Sequence, residues 1–318
     1  MTTSRFSSRQ YTVATIQAPA HLHFKPLSLD DIPLISMYLH SCPTRTCDFT
    51  IGGLLMWAGY FDYSYAIVDH TLFIKGVTED DVTRPAFSLP VGQMELPEAI
   101  DLLRAYCRSH DAMPLTFSAV PELQTETLRS LGATEVTELT DWADYLYDAQ
   151  ALATLTGKKL SKKRNHVNRF AADNPGYRFE PINSQNLQAV RDFYTNTHLP
   201  LSKPALADVE REQVIKVIDN LERYPFEGAV LSTPSEGIVA FTLGETIGDT
   251  LYVHIEKMNH EIAGAGESIN KLFAEMMLAV HPQIRYINRE EDTGDPGLRY
   301  AKESYHPAMM LRKFNVTM

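Results

Sequence analysis

One order of predicted elements (strand, helix, strand, helix) occurs twice in this sequence. The first copy comprises the segments 86–91, 96–108, 114–120 and 121–131, and the second comprises 250–257, 267–280, 284–289 and 295–305. Leu128-Arg129 and Leu298-Arg299 occupy matching places, 170 residues apart. Self-similarity of this kind indicates a duplicated structural unit. We therefore predict an α/β chain with mixed sheets, divided into an N-terminal unit, 1–148, and a C-terminal unit, 149–318.

The composition is that of a soluble globular protein. Hydrophobic residues make up 44% of the 318 residues, charged residues make up 22%, and the net charge is −11. This acidity argues against a whole surface that binds nucleic acid or anionic membrane, although it permits a local basic patch. The apolar runs stay short of the ~20 residues of a membrane span, and Met1–Gln10 lacks the apolar core of a secretory signal. We expect no integral membrane segment.

The three cysteines, Cys42, Cys47 and Cys107, match no metal-ligand spacing. Reduced thiols without such a pattern are typical of cytosolic proteins. The sequence therefore predicts a cytoplasmic protein without a metal site. A Walker loop and a Ser-His-Asp order are absent as well.

A dense polar set follows the strand predicted at 284–287; its members are Asn288, Arg289, Glu290, Glu291 and Asp292. We call residues 288–292 the polar elbow. Asp295 is placed to cap the next helix, with Pro296 at its first position. Functional groups are often presented where a strand meets a loop. The matching strand end of the first copy, 118–121, lacks such a set, so the second copy is the better active-site candidate and the first is predicted to be a degenerate support.

Arg289 of the polar elbow can hold a carboxylate or phosphate with its planar guanidinium. Glu290 is a candidate proton acceptor, and Tyr305, at the end of the following helix, is a candidate proton donor. The other candidates for substrate binding in this stretch are Asn288, Asp292 and Lys302. The alternatives are a capping and salt-bridge network at a turn, and a buried tyrosine with a satisfied hydroxyl.

The strand 253–257 offers a second pair of candidates. Strict alternation would put His254 and Glu256 on one face and Val253 and Ile255 on the other. Glu256 would then be a second candidate base, with His254 beside it as a substrate ligand. A solvated sheet face is the alternative interpretation.

Two features suggest an anion site. The basic run at 158–169 is a candidate phosphate clamp, and its leading members are Lys158, Lys162, Lys163 and Arg164. The turn Gly264-Ala265-Gly266 opens a helix and can present backbone N–H groups to an anion, although Glu261 and Glu267 flank it. The alternatives are a solvated linker helix and a tight strand-to-helix turn.

Three segments resemble a known family: LTGKKLSKKRNHVNRF, VHIEKMNHEIAGAGESINKLFAE and YINREEDTGDPGLRYAKESYHPAMMLRKF. They are similar to the family related to the C-terminal catalytic domain of bacterial phosphatidylglycerol lysyltransferases. The resemblance covers residues 141–314 well and the first half more loosely. It implies two tandem acyl-CoA N-acyltransferase (GNAT-like) folds, similar to the aminoacyl transferases that build peptidoglycan bridges.

The resemblance also bears on the donor. In such folds a coenzyme A diphosphate sits on a loop of pattern Gln/Arg-x-x-Gly-x-Gly/Ala, which corresponds here to 261–266, with Glu261 departing from the pattern. Aminoacyl-tRNA users of the tandem fold do not need that pocket. A tyrosine near the last helix often serves as general acid, which implies Tyr305 or Tyr300. The flippase portion that the lysyltransferases attach to this domain has no counterpart in this sequence.

The resulting hypothesis is an acyl- or aminoacyltransferase without a tightly bound cofactor. It would move an acyl group from acyl-CoA or aminoacyl-tRNA to an amine or hydroxyl on a small molecule, peptide or lipid headgroup. Glu256 or Glu290 would accept the proton, and Lys158, Lys162, Lys163, Arg164 and the Gly264–Gly266 turn would hold the donor. The alternative is a non-catalytic protein that binds a small ligand or RNA.

Overall fold

The computed structural model describes residues 21–110, 113–197 and 204–318. The segment Met1–Gln10, which the sequence predicts to be a short loose tail, lies outside these residues. The helices of the described part are α1 (Ile32–Leu39), α2 (Ile51–Leu55), α3 (Leu96–Ser109), α4 (Glu122–Ser130), α5 (Ala149–Thr154), α6 (Ser161–Asp173), α7 (Leu187–Asn196), α8 (Pro204–Asp219), α9 (Ala265–Val280) and α10 (Pro296–Glu303). None of them is long and apolar enough to cross a lipid bilayer.

The strands fall into two groups along the chain. Those of the first half are β1 (Lys25–Pro26), β2 (Ser64–Val68), β3 (Thr71–Val77), β4 (Pro85–Phe87), β5 (Val91–Gly92), β6 (Thr116–Pro121), β7 (Glu135–Glu138) and β8 (Asp144–Asp148). Those of the second half are β9 (Arg178–Pro181), β10 (Glu227–Thr233), β11 (Gly237–Ile247), β12 (Thr250–Met258), β13 (Tyr286–Asn288), β14 (Met309–Leu311) and β15 (Lys313–Thr317).

These strands form two mixed sheets of matching topology. The first has the order β1-β2-β3-β4-β6-β15-β7, with β5 also paired to β3, and the second has the order β14-β8-β13-β12-β11-β10-β9. Each sheet contains one parallel pair, β4 with β6 and β12 with β13, and its remaining pairs are antiparallel. The matching orders bear out the duplicated unit predicted from the sequence.

The two sheets exchange a strand. β8, at the end of the first half, lies between β13 and β14 of the second sheet. β15, at the end of the chain, lies between β6 and β7 of the first sheet. Each sheet therefore needs a strand from the other half of the sequence. The division at residue 148 stays a prediction.

Local patterns predicted most of the elements. The apolar segments 65–68 and 71–77 predict a hairpin, which β2 and β3 confirm. The predicted helices 96–108 and 267–280 are confirmed within a few residues as α3 and α9. The apolar segment 47–60 predicts a short helix packed in a core, and α2 confirms it, preceded by a 3-10 turn at Cys47–Phe49. Strands β7 and β15 were not predicted, since each is short and half polar.

Apolar side chains cover both faces of the second sheet. Successive residues of β10 alternate between them: Val230 packs with Phe241, Leu243 and Ile255 beneath α7 and α8, whereas Ala229 packs with Phe273 of α9. Such period-two alternation is the normal consequence of the pleat. The site described next lies where this sheet meets the first one, at the ends of β12 and β13.

Candidate active site

Hydrogen bonds of its own side chains fix the conformation of the polar elbow. Asn288, which is fully buried, donates from Nδ2 to the Arg45 carbonyl at 2.7 Å and to Asp144 Oδ2 at 2.8 Å, and its Oδ1 accepts from the Glu290 backbone N–H at 2.7 Å. Glu290 has a φ of 57°, a conformation that costs a non-glycine residue free energy. Asn288 therefore holds the strained turn at Glu290, whose side chain reaches His254 of β12.

Two further elbow contacts involve predicted substrate ligands. Lys302 is buried and donates from Nζ to the carbonyl oxygens of Arg289, at 2.6 Å, and of Glu291; burial lowers its pKa. Asp292 accepts from the Tyr145 hydroxyl at 2.6 Å and from Arg299 at 2.7 and 2.8 Å. These contacts support the interpretation of Lys302 and Asp292, together with Asn288, as a network that shapes the elbow. Substrate binding by these residues stays a prediction.

Glu290 and His254 form the central pair of the site. His254 Nδ1 lies 2.6 Å from Glu290 Oε1, and Nε2 lies 2.9 Å from Glu245 Oε1. Burial alone would lower the pKa of His254, but its hydrogen bonds to the two carboxylates and their charges outweigh burial and raise that pKa to about 10. At neutral pH the imidazole is therefore a cation clamped between two glutamates.

The expected placement of His254 and Glu256 on one face is wrong. Leu243 pairs with Ile255 and the next residue, Gly244, pairs with Val253, so His254 is the extra residue of a β-bulge. The bulge reverses the alternation. His254 and Ile255 share the face towards α2, α7 and α8, whereas Val253 and Glu256 share the face towards α9.

A glycine makes room for the histidine. A Cβ atom at Gly52 would lie 2.4 Å from the ring of His254, and the Gly52 backbone N–H donates to Glu245 Oε1 at 2.8 Å. We expect Gly52→Ala to destabilise the protein by about 1–3 kcal/mol because the ring cannot move out of its clamp. Urea unfolding measures the loss. Gly59→Ala is the control, since a Cβ there meets no atom within 4 Å; equal losses for both variants would contradict the clamp.

The His254 clamp also makes stability depend on pH. The pKa of His254 is about 10 in the folded protein and 6.5 in the reference state, so its contribution is full below pH 6.5 and is lost as pH rises towards 10. We expect the free energy of unfolding to fall by up to about 1.4 kcal/mol per pH unit in that window. Urea titrations at pH 7 and 9.5 test this. His254→Gln should flatten the slope, whereas His260→Gln, at an exposed position, should keep it.

Arg289 and Tyr305 lie on the other side of the sheet. Arg289 donates from Nη2 to Glu256 Oε1 at 2.8 Å, and its guanidinium carbon lies 4.9 Å from the centre of the Tyr305 ring. Asn270 of α9 donates to the second oxygen of Glu256 at 3.2 Å. Nη1 of Arg289 and Oδ1 of Asn270 are buried and have no hydrogen-bond partner among the described residues. Glu256 is thus an ion-pair partner here, and a catalytic role for it stays a prediction.

The structure separates the two tyrosines left open by the sequence. Tyr305 is 6% exposed and lies between Arg289 and Lys163, whose Nζ is 4.2 Å from its ring centre. Tyr300 is 76% exposed on the outer side of α10. Burial raises the pKa of Tyr305, so the hydroxyl is protonated at neutral pH. Its position favours Tyr305 as the candidate proton donor.

The basic run divides into an inner and an outer part. Lys163 points inwards, with Nζ 3.4 Å from Glu267 Oε1. Arg164 donates to the Leu155 carbonyl at 2.5 Å and so caps the end of α5. Lys158 and Lys162 are exposed, together with Lys159. The three exposed lysines therefore remain candidates for a phosphate clamp. Lys163 and Arg164 already bind other groups of the protein.

The Gly264–Gly266 turn is packed beneath α6. Gly264 has a φ of 80°, and a Cβ there would lie 2.5 Å from the carbonyl oxygen of His166. Glu267 follows in the first turn of α9 and accepts from His166 Nδ1 at 3.0 Å. The backbone conformation and the close packing thus explain why residue 264 is a glycine. Its part in holding a donor stays a prediction.

A buried charge cluster joins the exchanged strands, and sequence reasoning missed it. Lys313 of β15 is 1% exposed and places Nζ 2.7 Å from Asp144 of β8 and 2.9 Å from Asp48. The same Nζ lies 3.5 Å from Cys47 Sγ and 3.7 Å from Glu291. The thiol and carboxylates of Cys47, Asp144 and Glu291 are close enough together to resemble a metal site, but the ammonium of Lys313 already lies among them.

The acidic surroundings change the ionisation of this cluster. Burial would lower the pKa of Lys313, but Asp144 and Asp48 raise it well above its usual value. Burial raises the pKa of Glu291 to about 7, in spite of the opposing charge of Lys313. The alternation of Phe314 and Val316 with Lys313 and Asn315 was the one local signal of β15. Nothing in the sequence pointed to its partners, which are distant along the chain.

A small pocket, partly open to solvent, adjoins the cluster. One wall is aromatic and consists of Trp57, Tyr60, Phe61, Tyr63 and Trp142. The other wall is acidic and consists of Asp48, Glu79, Glu290 and Glu291. We call it the junction pocket, because both halves of the chain line it.

The fold and this geometry can be compared with known proteins. A family model described as phosphatidylglycerol lysyltransferase, C-terminal, matches residues 40–317. The chain belongs to this family. The family membership confirms the resemblance seen in the sequence, and the two mixed sheets are tandem GNAT-like folds.

Solved structures and a curated relative agree with this assignment. A conserved protein of unknown function from Bacteroides thetaiotaomicron is 31% identical, with 93% of this chain and 99% of that chain covered and a TM-score of 0.82. The L-PGS of Bacillus licheniformis is 15% identical, with 95% and 94% covered and a TM-score of 0.61, which shows the shared fold. An uncharacterised protein of Mycoplasmoides gallisepticum is 24% identical over 177 residues, 54% of this chain. The match spans 55% of that relative's length.

Proposed function

We propose that this protein transfers an aminoacyl group from an aminoacyl-tRNA to an acceptor bound beside Glu290. The observation that carries the proposal is the Glu290 carboxylate, which is 2.6 Å from His254 and lines the junction pocket. A carboxylate held in this way is suited to accept a proton from an attacking nucleophile. Membership of a family described by lysyl transfer supports an aminoacyl donor.

Tyr305 is the proposed proton donor to the leaving oxygen. The cations of Arg289 and Lys163 lie over its ring at 4.9 and 4.2 Å and would stabilise the phenolate that remains after transfer. The unpartnered Nη1 of Arg289 is available for the carbonyl of the donor. Glu290 and Tyr305 lie on opposite faces of the second sheet. The pairing of β12 with β13 covers 250–252 and 286–288, so an ester placed beyond these pairs would be within reach of both faces.

The turn at Gly264 and the exposed lysines favour tRNA over coenzyme A. α6 packs directly on the turn, and Glu267 places a negative charge in the first helical turn, where a diphosphate would bind. Lys158, Lys159 and Lys162 leave three exposed cations for a nucleic-acid backbone. They form a local basic patch on a protein of net charge −11.

Binding and transfer measurements test this proposal. We expect the protein to bind lysyl-tRNA at low salt, with affinity reduced at least tenfold by Lys158→Glu with Lys162→Glu. The matched control is Arg108→Glu with Arg129→Glu, which reverses two exposed charges in the first half. Tight binding of acetyl-CoA with none of tRNA would contradict the donor. Binding of neither would contradict the transferase and favour the non-catalytic ligand-binding alternative.

A further inference from the structure

The junction pocket has an unusual combination of walls. Its five aromatic rings form one connected group around Phe61, whose ring centre lies 4.9 Å from Tyr60, 5.5 Å from Tyr63 and 6.1 Å from Trp142. Aromatic faces carry negative charge density and attract cations. The acidic wall faces the same space. Both walls thus favour a positively charged ligand.

The acidic wall has more carboxyl groups than the neighbouring ammonium of Lys313 can pair with. Lys313 lies among Asp48, Asp144 and Glu291, so one ammonium is the ion-pair partner of three carboxyl groups. Oδ2 of Asp48 is buried and 2.9 Å from Nζ, and it accepts no hydrogen bond from the part of the chain that the structure describes.

Glu79 is the carboxyl group of the acidic wall whose charge is least compensated by hydrogen bonds or cations of the protein. It is 7% exposed, and its one side-chain hydrogen bond within the described residues comes from the Tyr63 hydroxyl, at 3.4 Å. Burial raises the pKa of Glu79 well above its usual value. A ligand that brings N–H donors and a positive charge would satisfy both Glu79 and Asp48.

We propose that the junction pocket is the acceptor site and that it takes a primary ammonium group carried on an alkyl chain. The assignment rests on the proposed function and names its acceptor class. The alkyl part packs on the aromatic wall, and the ammonium donates to the acidic wall. An anionic lipid headgroup does not fit, because its phosphate would be buried against carboxylates.

Glu290, Tyr305 and solvent account for every proton that moves in the reaction. Glu290 takes one proton from the bound ammonium, and the free amine attacks the ester carbon of the aminoacyl-tRNA. A carbon–nitrogen bond forms, and the carbon–oxygen bond to the ribose breaks. Tyr305 supplies a proton to the ribose oxygen, and the second proton lost by the nitrogen restores Tyr305 through solvent. The products are an amide and uncharged tRNA.

The chain contains two tryptophans, Trp57 and Trp142, and both line the pocket. Intrinsic tryptophan fluorescence therefore reports on this site directly. We expect n-pentylammonium to change the fluorescence saturably, and n-pentanol, its neutral analogue, to bind at least tenfold more weakly. Glycerol 1-phosphate should not compete. Nα-acetyl-lysine methylamide tests a peptide lysine as the source of the ammonium, against a free amine.

Glu79→Gln should weaken n-pentylammonium binding at least tenfold, whereas Glu303→Gln, on the exposed side of α10, should leave it unchanged. Trp57→Leu, read through Trp142, provides a second variant if Glu79→Gln does not fold. Equal binding of n-pentanol, or competition by glycerol 1-phosphate, would overturn the assignment. Amine binding without transfer would contradict the proposed function alone, and transfer to a hydroxyl acceptor without amine binding would contradict the pocket alone.

Discussion

Lys313→Met is expected to lower the free energy of unfolding by about 3–5 kcal/mol, because it leaves buried carboxylates without their cation. Asp144 is fully buried and Asp48 nearly so, and Lys313 Nζ lies within 3 Å of both. Methionine keeps the apolar length of the side chain, so the loss reports the charge. Urea unfolding at pH 7.5 measures it.

The control for this variant is Lys216→Met, which removes an exposed ammonium paired with Glu212 at 3.2 Å on α8. Its expected cost is below about 1 kcal/mol, as for other exposed pairs. Asp144→Asn in the Lys313→Met background should recover part of the loss, because one unpaired charge is removed. A cost for Lys313→Met no larger than that of the control would contradict the compensating role of Lys313.

Glu290→Gln is expected to lower the rate of transfer by about 10²–10⁴-fold, since an amide cannot accept the proton of the nucleophile. The glutamine oxygen can still accept from His254 Nδ1, so the fold and the elbow should persist. Single-turnover transfer from lysyl-tRNA measures the rate, and tRNA affinity, measured separately, should be unchanged.

Glu303→Gln is the matched control for Glu290→Gln, because it makes the same chemical change at an exposed position. Its transfer rate should equal that of the wild type. A rate for Glu290→Gln within about threefold of the wild type would remove Glu290 from the mechanism. The proton acceptor would then have to be sought at Glu256.

Some of the site was predictable from sequence because it is contiguous. Five neighbouring residues after one strand identified the polar elbow, and Asp295 caps α10 through the Leu298 N–H at 2.7 Å, as the local pattern indicated. The pairing of His254 with Glu290 was not predicted. A bulge has no reliable local signature, and one extra residue reverses the face of every side chain after it.

The lysines of the basic run also show a feature that local sequence does not predict. Exposed and inward-facing members of the basic run look alike in the sequence, yet Lys163 lies against Tyr305 while Lys162 is exposed to solvent. The 3.6-residue turn of α6 separates neighbouring side chains by about 100°. Which direction faces the protein depends on where α9 packs.

The sequence by itself determined the duplicated order of strands and helices, the position of the elbow and the family. These depend on periodicity, caps and contiguous motifs, which are local. Only the tertiary structure decided that β8 and β15 change sheets, that Lys313 meets Asp144 and Asp48, and that both halves build the junction pocket. The physical reason is that strand pairing and charge burial join residues remote along the chain, and their gain in free energy exists only once the two sheets have met.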